Sequence, residues 1–388
     1  MKRTSWPGRA DPLGVLLSVA GGAALALLPF VVFKTNRIVP GDPRGLFEAL
    51  PAATAATCTV LLALSALVAV SIADAKQRLS AALVGLTVVA LAAAAAGNAL
   101  TPPGNHVVRV APGAAFWVLL VCLGLMATDA ITRMRPGPGL RVLFLGLFFA
   151  IAGAALAHGT FDHLSVMREY AVNASRFAHE ARRHVWLAFG SLLAAVAVGV
   201  PLGIVGHRAP RLRGAILGTL NLIQTIPAIA LFGILMAPLG ALAAALPWVG
   251  ELGIRGIGAA PAVVALFLYS LLPIVANTVA GLTRVSRAAV EAARGMGMTD
   301  WQVLTGVELA LAMPVILTGI RVVLVQNIGM VTVAALIGGG GLGTFVFQGI
   351  GQTAIDLVLL GAIPIVALAF SAAVLLDALV EVMDRGPA

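Results

Sequence analysis

The chain has 388 residues, of which 60% are hydrophobic and 11% are charged. Soluble domains carry about 25% charged residues and disordered chains are poor in apolar residues, so this composition excludes both classes. The net charge of +9 comes with 25 Lys and Arg residues that form no basic run, which argues against nucleic-acid binding. We therefore predict an all-α polytopic membrane protein.

A membrane-spanning helix needs about 20 predominantly apolar residues. The sequence contains about ten such segments, at residues 13–33, 52–73, 79–100, 113–132, 140–158, 185–206, 214–238, 261–283, 312–336 and 355–380. The first segment has the position of a signal peptide, but its apolar core is longer than usual, and Lys34 and Arg37 follow it in place of small residues. We predict that it is a retained helix.

The distribution of Lys and Arg predicts the orientation, because loops rich in these residues stay on the cytoplasmic side. With ten spans and the N-terminus inside, fifteen of the 25 Lys and Arg residues fall in cytoplasmic segments and nine in extracytoplasmic segments. The remaining one, Arg321, lies within a span. The cytoplasmic ones include Lys2, Arg3, Arg9 and Arg385. This bias predicts that both termini are cytoplasmic.

The longest polar stretch divides the chain into two halves. We predict an extracytoplasmic loop at 159–183, between an N-terminal five-span membrane region at 1–158 and a C-terminal domain at 184–388. Water is expected to solvate the histidines that border this loop, which are His158, His163, His179 and His184.

Polar residues within the predicted spans are unevenly distributed. In the first half, Asp129 lies four residues before Arg133, which indicates an i,i+4 ion pair. The second half carries more Asn, Gln, Gly and Pro within its spans, and such residues mark packing interfaces, kinks and pathways in membrane proteins. We therefore expect the function to lie in the second half.

A cytoplasmic segment at 284–311, the EAA segment, carries the clearest motif. Ser286 is a typical helix N-cap residue, and two glycines interrupt the helix that it starts. Thr299 and Gln302 have the spacing of a capping box and start a second helix. The pattern predicts a helix, a glycine turn and another helix beside the membrane, which together present Glu291 to a partner protein.

This segment resembles the EAA signature of ABC-importer permeases, which reads E-A-A-x-x-x-G and continues nine residues later with I-x-L-P. The matching residues are Glu291, Ala292, Ala293 and Gly297. The chain departs from the second part, because Val307 replaces Ile and an alanine replaces Pro. In that family the segment is a coupling helix that docks in a groove of the cytoplasmic ATPase. The resemblance implies this coupling role for the four matching residues.

Three further segments resemble the permeases of osmoprotectant importers for glycine betaine, choline and related solutes. They are 221–231 (NLIQTIPAIAL), 271–277 (LLPIVAN) and 334–343 (AALIGGGGLG). Residues from about 184 to 380 are similar to that type I, MetI-like permease domain, and the whole chain is similar to the Yeh-type glycine betaine permeases. The resemblance implies a permease subunit in a bacterial inner membrane, with no enzymatic activity of its own.

The same resemblance implies four kinds of partner: cytoplasmic ABC ATPase subunits, an extracytoplasmic solute-binding protein, a second permease subunit that is identical or related, and membrane lipid. The chain has no Gly-Lys dipeptide and so no P-loop, which assigns ATP hydrolysis to a separate chain. Gly338, Gly340 and Gly343 fit G-x-G-x-x-G, but a span rather than a strand precedes them. We predict neither a nucleotide cofactor nor a metal site.

Polar residues at comparable depth in two spans are candidates for the translocation path. Arg321 lies halfway along its span, where an arginine costs about 2.5–3.5 kcal/mol and needs a partner or water. The other candidates are Asn221, Gln224, Gln326 and Asn327. Hydrogen bonding between helices or between subunits is an equal alternative for these residues.

Two other classes of function compete with the importer hypothesis. An ion- or proton-coupled secondary transporter of small solutes predicts acidic residues within the membrane and internal repeats. Asp356 and Asp377 lie near the ends of spans, and the sequence contains no evident repeat. An intramembrane enzyme needs a constellation of catalytic residues inside the spans, and none is visible in the sequence.

Overall fold

The computed structural model describes residues 11–37, 39–105, 107–251 and 253–384. Lys2, Arg3, Arg9 and Arg385, which contribute to the predicted orientation, lie outside these residues. The chain forms two compact units: Met1–Gly137 with Gly146–Val172, and Pro138–Leu145 with Asn173–Ala388. Within the described ranges, nine helices are long and apolar enough to cross a membrane. The predicted all-α polytopic class is therefore confirmed.

The elements of the first half are, in chain order, α1 (Pro12–Leu27), β1 (Val31–Lys34), β2 (Asp42–Arg44), α2 (Leu46–Ala49), α3 (Ala52–Ser71), α4 (Ala75–Leu100), β3 (Arg109–Pro112), α5 (Ala114–Met134) and α6 (Pro138–Ala157). Those of the second half are α7 (Ser165–Arg208), α8 (Pro210–Thr225), α9 (Ala228–Ala245), α10 (Pro247–Glu251), α11 (Ala259–Arg284), α12 (Arg287–Gly295), α13 (Asp300–Val303), a π turn (Leu304–Glu308), α14 (Leu309–Ala334), a 3₁₀ turn (Ala335–Ile337), α15 (Gly343–Gly351) and α16 (Ile355–Asp384).

The first predicted span, 13–33, is too long at its C-terminal end. Helix α1 has 16 residues and ends at Leu27, so it extends about 24 Å, less than the ~30 Å of a bilayer core. Leu28 is extended, with ψ 151°, because the following Pro29 disfavours a helical residue before it. The apolar residues after Pro29 leave the helix and form β1.

A small sheet in the first unit went unpredicted. Its three strands are antiparallel in the order β2-β1-β3. Val31 lies opposite Arg44 on one side and opposite Pro112 on the other, and Phe30, Val31 and Val110 are buried. Strands of three or four residues are too short to give a period-2 pattern in the sequence.

Four charged side chains hold the start of α1 against α4 and α5. The predicted pair of Asp129 and Arg133 is confirmed, with 2.8 Å between Oδ2 and Nε. Arg78, which is 2% exposed, places Nη2 at 2.8 Å from Asp11 and 3.2 Å from Asp129. Burial acts to raise the pKa of Asp11, but hydrogen bonds from Arg78 and Arg133 outweigh it and lower the pKa to about 2.

The segment at 159–183, predicted to be a loop, is mostly helical. Turns occupy 158–163, and α7 runs for 44 residues from Ser165 to Arg208. Residues 165–183 contain no glycine or proline and are rich in Ala, Arg and Glu, which favour helices. Polarity alone was the reason for the loop prediction, but a helix surrounded by water is also polar. The extracytoplasmic location of this segment stays a prediction.

The seventh predicted span, 214–238, consists of two helices. Helix α8 ends at Thr225, and α9 starts at Ala228 and continues to Ala245. Pro227 lacks an N–H group and favours an extended residue before it, and Ile226 has ψ 126°. The break therefore follows directly from the sequence at this proline.

Small residues of α7 let it approach α11 closely within the second unit. A Cβ atom added at Gly199 would lie 2.8 Å from Cγ2 of Ile274, and one added at Gly203 would lie 2.5 Å from Cβ of Thr278. Glycines four residues apart form the G-x-x-x-G pattern, which brings helix backbones together in membranes. These two helices consequently share a tight interface.

Replacing Gly203 by valine is expected to destabilise this interface, because the new side chain overlaps Thr278. Overpacking of this kind costs about 1–3 kcal/mol. Thermal unfolding of the purified protein in detergent measures the effect as a lower midpoint. Gly218→Val is the matched control, since no atom lies within 4 Å of a Cβ added there. Equal midpoints for the two variants would contradict the close approach of α7 and α11.

Candidate functional site

The EAA segment has the predicted helix–turn–helix form. The side chain of Ser286 caps α12, and Gly297 adopts a left-handed conformation with φ +86°, which glycine tolerates. The capping box at α13 is complete, because the N–H of Gln302 donates to Thr299 Oγ1 and the N–H of Thr299 donates to Gln302 Oε1. Arg294 and Asp300 bridge the two helices at 2.9 Å.

The side chains on one face of the EAA segment are exposed. Glu291 and Ala292 are exposed, whereas Ala293 is only 2% exposed and packs into the chain. Met296 and Trp301 are 77% and 71% exposed, which is unusual for side chains of this size. Neither residue was among the predicted contact residues, although two large apolar residues close to the glycines of a polar segment were a visible signal. Exposed Trp and Met side chains are enriched at protein interfaces, which marks this face as a candidate contact surface.

The EAA segment is firmly attached to the membrane helices. Helical backbone continues from Asp300 to Ile337 without a gap, through the π turn that precedes α14. Glu308 in this turn is 8% exposed at its side chain and lies 2.5 Å from Nη2 of Arg208. Leu304 belongs to a buried apolar cluster with Leu282, Ala312 and Ile316. The EAA segment is thereby continuous in backbone with α14 and shares a buried core with it.

Asn327, predicted to line the translocation path, is fully buried between helices. Its Nδ2 donates to Ser191 Oγ on α7, and its Oδ1 accepts from Ser270 Oγ on α11, both at 3.1 Å. Gln326 lies beside it on α14, and its amide contacts the sulfur of Met330 at 3.5 Å. For Asn327 the geometry favours the alternative role, which is hydrogen bonding between helices.

Arg321 finds an acidic partner on the last helix. It forms an ion pair with Asp377 of α16, and Arg141 at the start of α6 lies 2.9 Å from the second oxygen of the same carboxylate. Arg141 also reaches Glu381 at 3.0 Å. The need of Arg321 for a partner was predictable from the sequence, but its pairing with Asp377 was not, because the two residues are 56 positions apart.

Gln224 lies next to the break between α8 and α9. Its amide donates to the carbonyl of Tyr269 at 2.8 Å, and the hydroxyl of Tyr269 donates in turn to the carbonyl of Ile226. The first bond satisfies the Tyr269 carbonyl, whose partner four residues along α11 would be Pro273, which has no N–H group, and the second satisfies the Ile226 carbonyl at the break. Asn221 and Thr225 are exposed on α8. The predicted path residues thus contact different partners and do not form one cluster. Gln224 bonds to Tyr269, Arg321 pairs with Asp377, and Asn327 bonds to two serines.

Two family models together match most of the chain. Residues 11–167 match the family described as "ABC transporter permease YehY, N-terminal domain". Residues 195–387 match the family described as "Binding-protein-dependent transport system inner membrane component". Both halves of the resemblance predicted from the sequence are therefore confirmed.

Curated relatives match about half of this chain and most of their own length. The osmoprotectant import permease protein OsmW of Salmonella typhimurium strain LT2 is 45% identical over 197 residues, which is 51% of this chain and 86% of that protein. The carnitine transport permease protein OpuCB of Listeria monocytogenes is 38% identical over 48% of this chain and 78% of its own. The choline transport system permease protein OpuBB of Bacillus subtilis strain 168 is 36% identical over 55% and 89%.

A solved structure of the MetNI methionine ABC transporter, in an inward-facing conformation, has a chain with 21% identity and a TM-score of 0.43; the match covers 53% of this chain and 95% of that chain. The membership itself rests on the family models and on the 45% identical relative. The chain belongs to the binding-protein-dependent transport system inner-membrane components, which are the permease subunits of ABC importers and are not themselves enzymes.

Proposed function

We propose that this chain is the permease subunit of an ATP-driven importer for glycine betaine or a related osmoprotectant with a quaternary ammonium group. The observation that carries the proposal is the exposed EAA segment, joined to α14 by continuous helix, in a chain whose relatives are named for osmoprotectant, carnitine and choline transport. The permease supplies a path and a lever, and its partners supply the energy and the first recognition of the solute.

The exposed face of the EAA segment is the proposed contact for the ATPase. Glu291 supplies the charge of this face, Ala292 and Gly297 are small exposed residues beside it, and Met296 and Trp301 supply apolar side chains that a partner can bury. Ala293 supports this contact from beneath, since it is buried within the chain. When the ATPase subunits close on ATP, the segment moves and α14 moves with it.

The proposed translocation path runs along the break between α8 and α9. Discontinuous helices form the solute sites of many transporters, because their free ends supply polar groups within the membrane. Asn221 is exposed near this break, and Gln224 forms a hydrogen bond beside it to the carbonyl of Tyr269 on α11. Gln326 is half-buried on α14, whereas Arg321 and Asn327 act on the path indirectly by holding α14 to its neighbours.

The partners in this proposal are two cytoplasmic ATPase subunits, an extracytoplasmic solute-binding protein and a second permease subunit. With the short helix α1 counted as a tenth span, both termini and the EAA segment are cytoplasmic and the start of α7 is extracytoplasmic, in agreement with the bias of Lys and Arg. The membrane is the bacterial inner membrane. Residues 184–388 form the permease domain, and the five-span region at 1–158 accompanies it.

Stimulation of ATP hydrolysis by the solute tests this proposal. The chain, its ATPase and its binding protein are reconstituted in lipid, and hydrolysis is measured with glycine betaine, choline, carnitine or methionine. We expect one or more of the quaternary ammonium solutes to stimulate hydrolysis and methionine to have no effect. An assembled complex that hydrolyses ATP at the same rate with every solute would contradict the proposed substrate class.

A further inference from the structure

A turn made almost entirely of glycine, residues 338–343, connects α14 to α15; we call it the glycine turn. Gly338, Gly340 and Gly341 have φ between 75° and 85°, a region that side chains disfavour. A Cβ added at Gly340 would lie 2.6 Å from Cδ of Arg183, so a side chain there would displace the end of this arginine of α7. The motif fits no nucleotide site, because helix rather than strand precedes it.

Two side chains of α7 accept hydrogen bonds from consecutive amides of this turn. The N–H of Gly341 donates to Glu180 Oε2 at 2.6 Å, and the N–H of Leu342 donates to His184 Nδ1 at 3.3 Å. Because Nδ1 accepts, the ring proton lies on Nε2, which is 3.0 Å from the carbonyl of Ile328 on α14. His184 was expected to be solvated, but it is fully buried and neutral in this arrangement.

The attachment consists mainly of hydrogen bonds rather than of packed side chains. Apart from Leu342, the turn carries no side chain between 338 and 343. Arg183 adds a longer bond to the carbonyl of Gly338, at 3.4 Å. Hydrogen bonds to a carboxylate are strong in a dry contact, yet water can replace them, and Glu180 is half-exposed. Leu342 is only 3% exposed, so opening the contact breaks these hydrogen bonds and also exposes this one apolar side chain.

The glycine turn and the EAA segment lie at opposite ends of one helical run. Helical backbone extends over the 38 residues from Asp300 to Ile337, a length of about 57 Å, and the glycine turn follows directly. A rigid helix couples the contacts at its two ends when each contact can adopt two arrangements, because a change at one end then favours a change at the other. The glycines of the turn give the backbone the conformational freedom that lets the C-terminal end of α14 move.

We infer that Glu180 and His184 are positioning residues that lock the glycine turn onto α7, and that transport requires this lock to open and close in step with the EAA segment. The inference rests on the proposed function, since it gives the far end of α14 a part in an ATP-driven cycle. The lock keeps the distal ends of α14 and α15 against α7, and its release frees them to separate.

The test compares Glu180→Ala, Glu180→Gln and the control Arg182→Ala in the full complex with ATPase and binding protein. Arg182 is an exposed neighbour whose Nε bonds to a carbonyl of its own helix, that of Ala178. Amide hydrogen exchange of residues 338–343 reports on the lock, and solute taken up per ATP hydrolysed reports on coupling. The second readout would not change if Glu180 only stabilised the fold.

We expect Glu180→Ala to speed exchange in the glycine turn about tenfold, through loss of a charge-assisted hydrogen bond, and to reduce the uptake per ATP severalfold while hydrolysis continues. Glu180→Gln retains an acceptor oxygen and should recover most of both signals, and Arg182→Ala should match the wild type.

Unchanged exchange in Glu180→Ala would overturn the lock, and faster exchange with an unchanged uptake per ATP would overturn its role in transport. The wild-type complex separates this inference from the proposed function. If the wild type shows no ATP-dependent uptake, the proposed function fails together with this inference, whereas normal wild-type uptake with unaltered coupling in Glu180→Ala overturns the inference alone.

Discussion

Replacing Glu291 by lysine is expected to leave the protein folded and inserted while weakening its association with the ATPase by about tenfold or more. Glu291 is exposed on α12, so the local helix does not depend on it. The substitution turns a negative side chain into a positive one at the centre of the proposed contact. Co-purification of the ATPase with the tagged permease, at several salt concentrations, measures the effect.

A charge reversal elsewhere on the predicted cytoplasmic surface provides the control. Lys76 at the start of α4 is exposed and lies outside the EAA segment, so Lys76→Glu should co-purify with the ATPase as the wild type does. Trp301→Ala tests the apolar part of the same face, and we expect it to weaken the association as well. Normal association of both Glu291→Lys and Trp301→Ala would contradict the coupling role.

Replacing Asp377 by alanine is expected to destabilise the permease domain by about 2.5–3.5 kcal/mol, the cost of an arginine at the centre of a span. Arg321 loses the carboxylate with which it is paired, and Arg141 retains Glu381 as a partner at 3.0 Å. The loss is expected at the lower end of this range, because about a third of the Arg321 side chain is exposed. Unfolding of the purified protein by denaturing detergent measures the loss.

The double variant Arg321→Ala with Asp377→Ala identifies the cause. It removes both charges of the pair, so most of the stability lost in the Asp377 single variant should return. Arg321→Ala alone should cost less than Asp377→Ala alone, since Asp377 keeps Arg141 at 2.9 Å. A double variant as unstable as Asp377→Ala would show that the carboxylate acts through contacts other than Arg321.

The helical fold and the EAA segment were predictable because their signals are local. A span is a run of apolar residues, and the break before α9 follows from Pro227, which cannot donate a backbone hydrogen bond. Ser286, Thr299 and Gln302 act over a separation of three residues, and the structure contains both helix caps. Structure that depends on residues this close together can be predicted from a single sequence.

The features that were missed depend on residues far apart in the chain. Arg78 joins Asp11 across 67 residues, and His184 meets the glycine turn across 158. Arg321 required a partner by its cost in the membrane, but several acidic residues could have provided it. The helix at 165–183 was mistaken for a loop because its polarity reflects its surroundings and not its backbone conformation.

Whether solute uptake depends on the ATPase is the most direct test that this chain is the permease subunit of an ATP-driven importer. Proteoliposomes that contain this chain and its solute-binding protein, with or without the ATPase, are supplied with ATP and radiolabelled glycine betaine, choline or carnitine. We expect uptake of at least one of these solutes only when both the ATPase and hydrolysable ATP are present. Uptake that continues without the ATPase, driven by an ion or proton gradient, would contradict it.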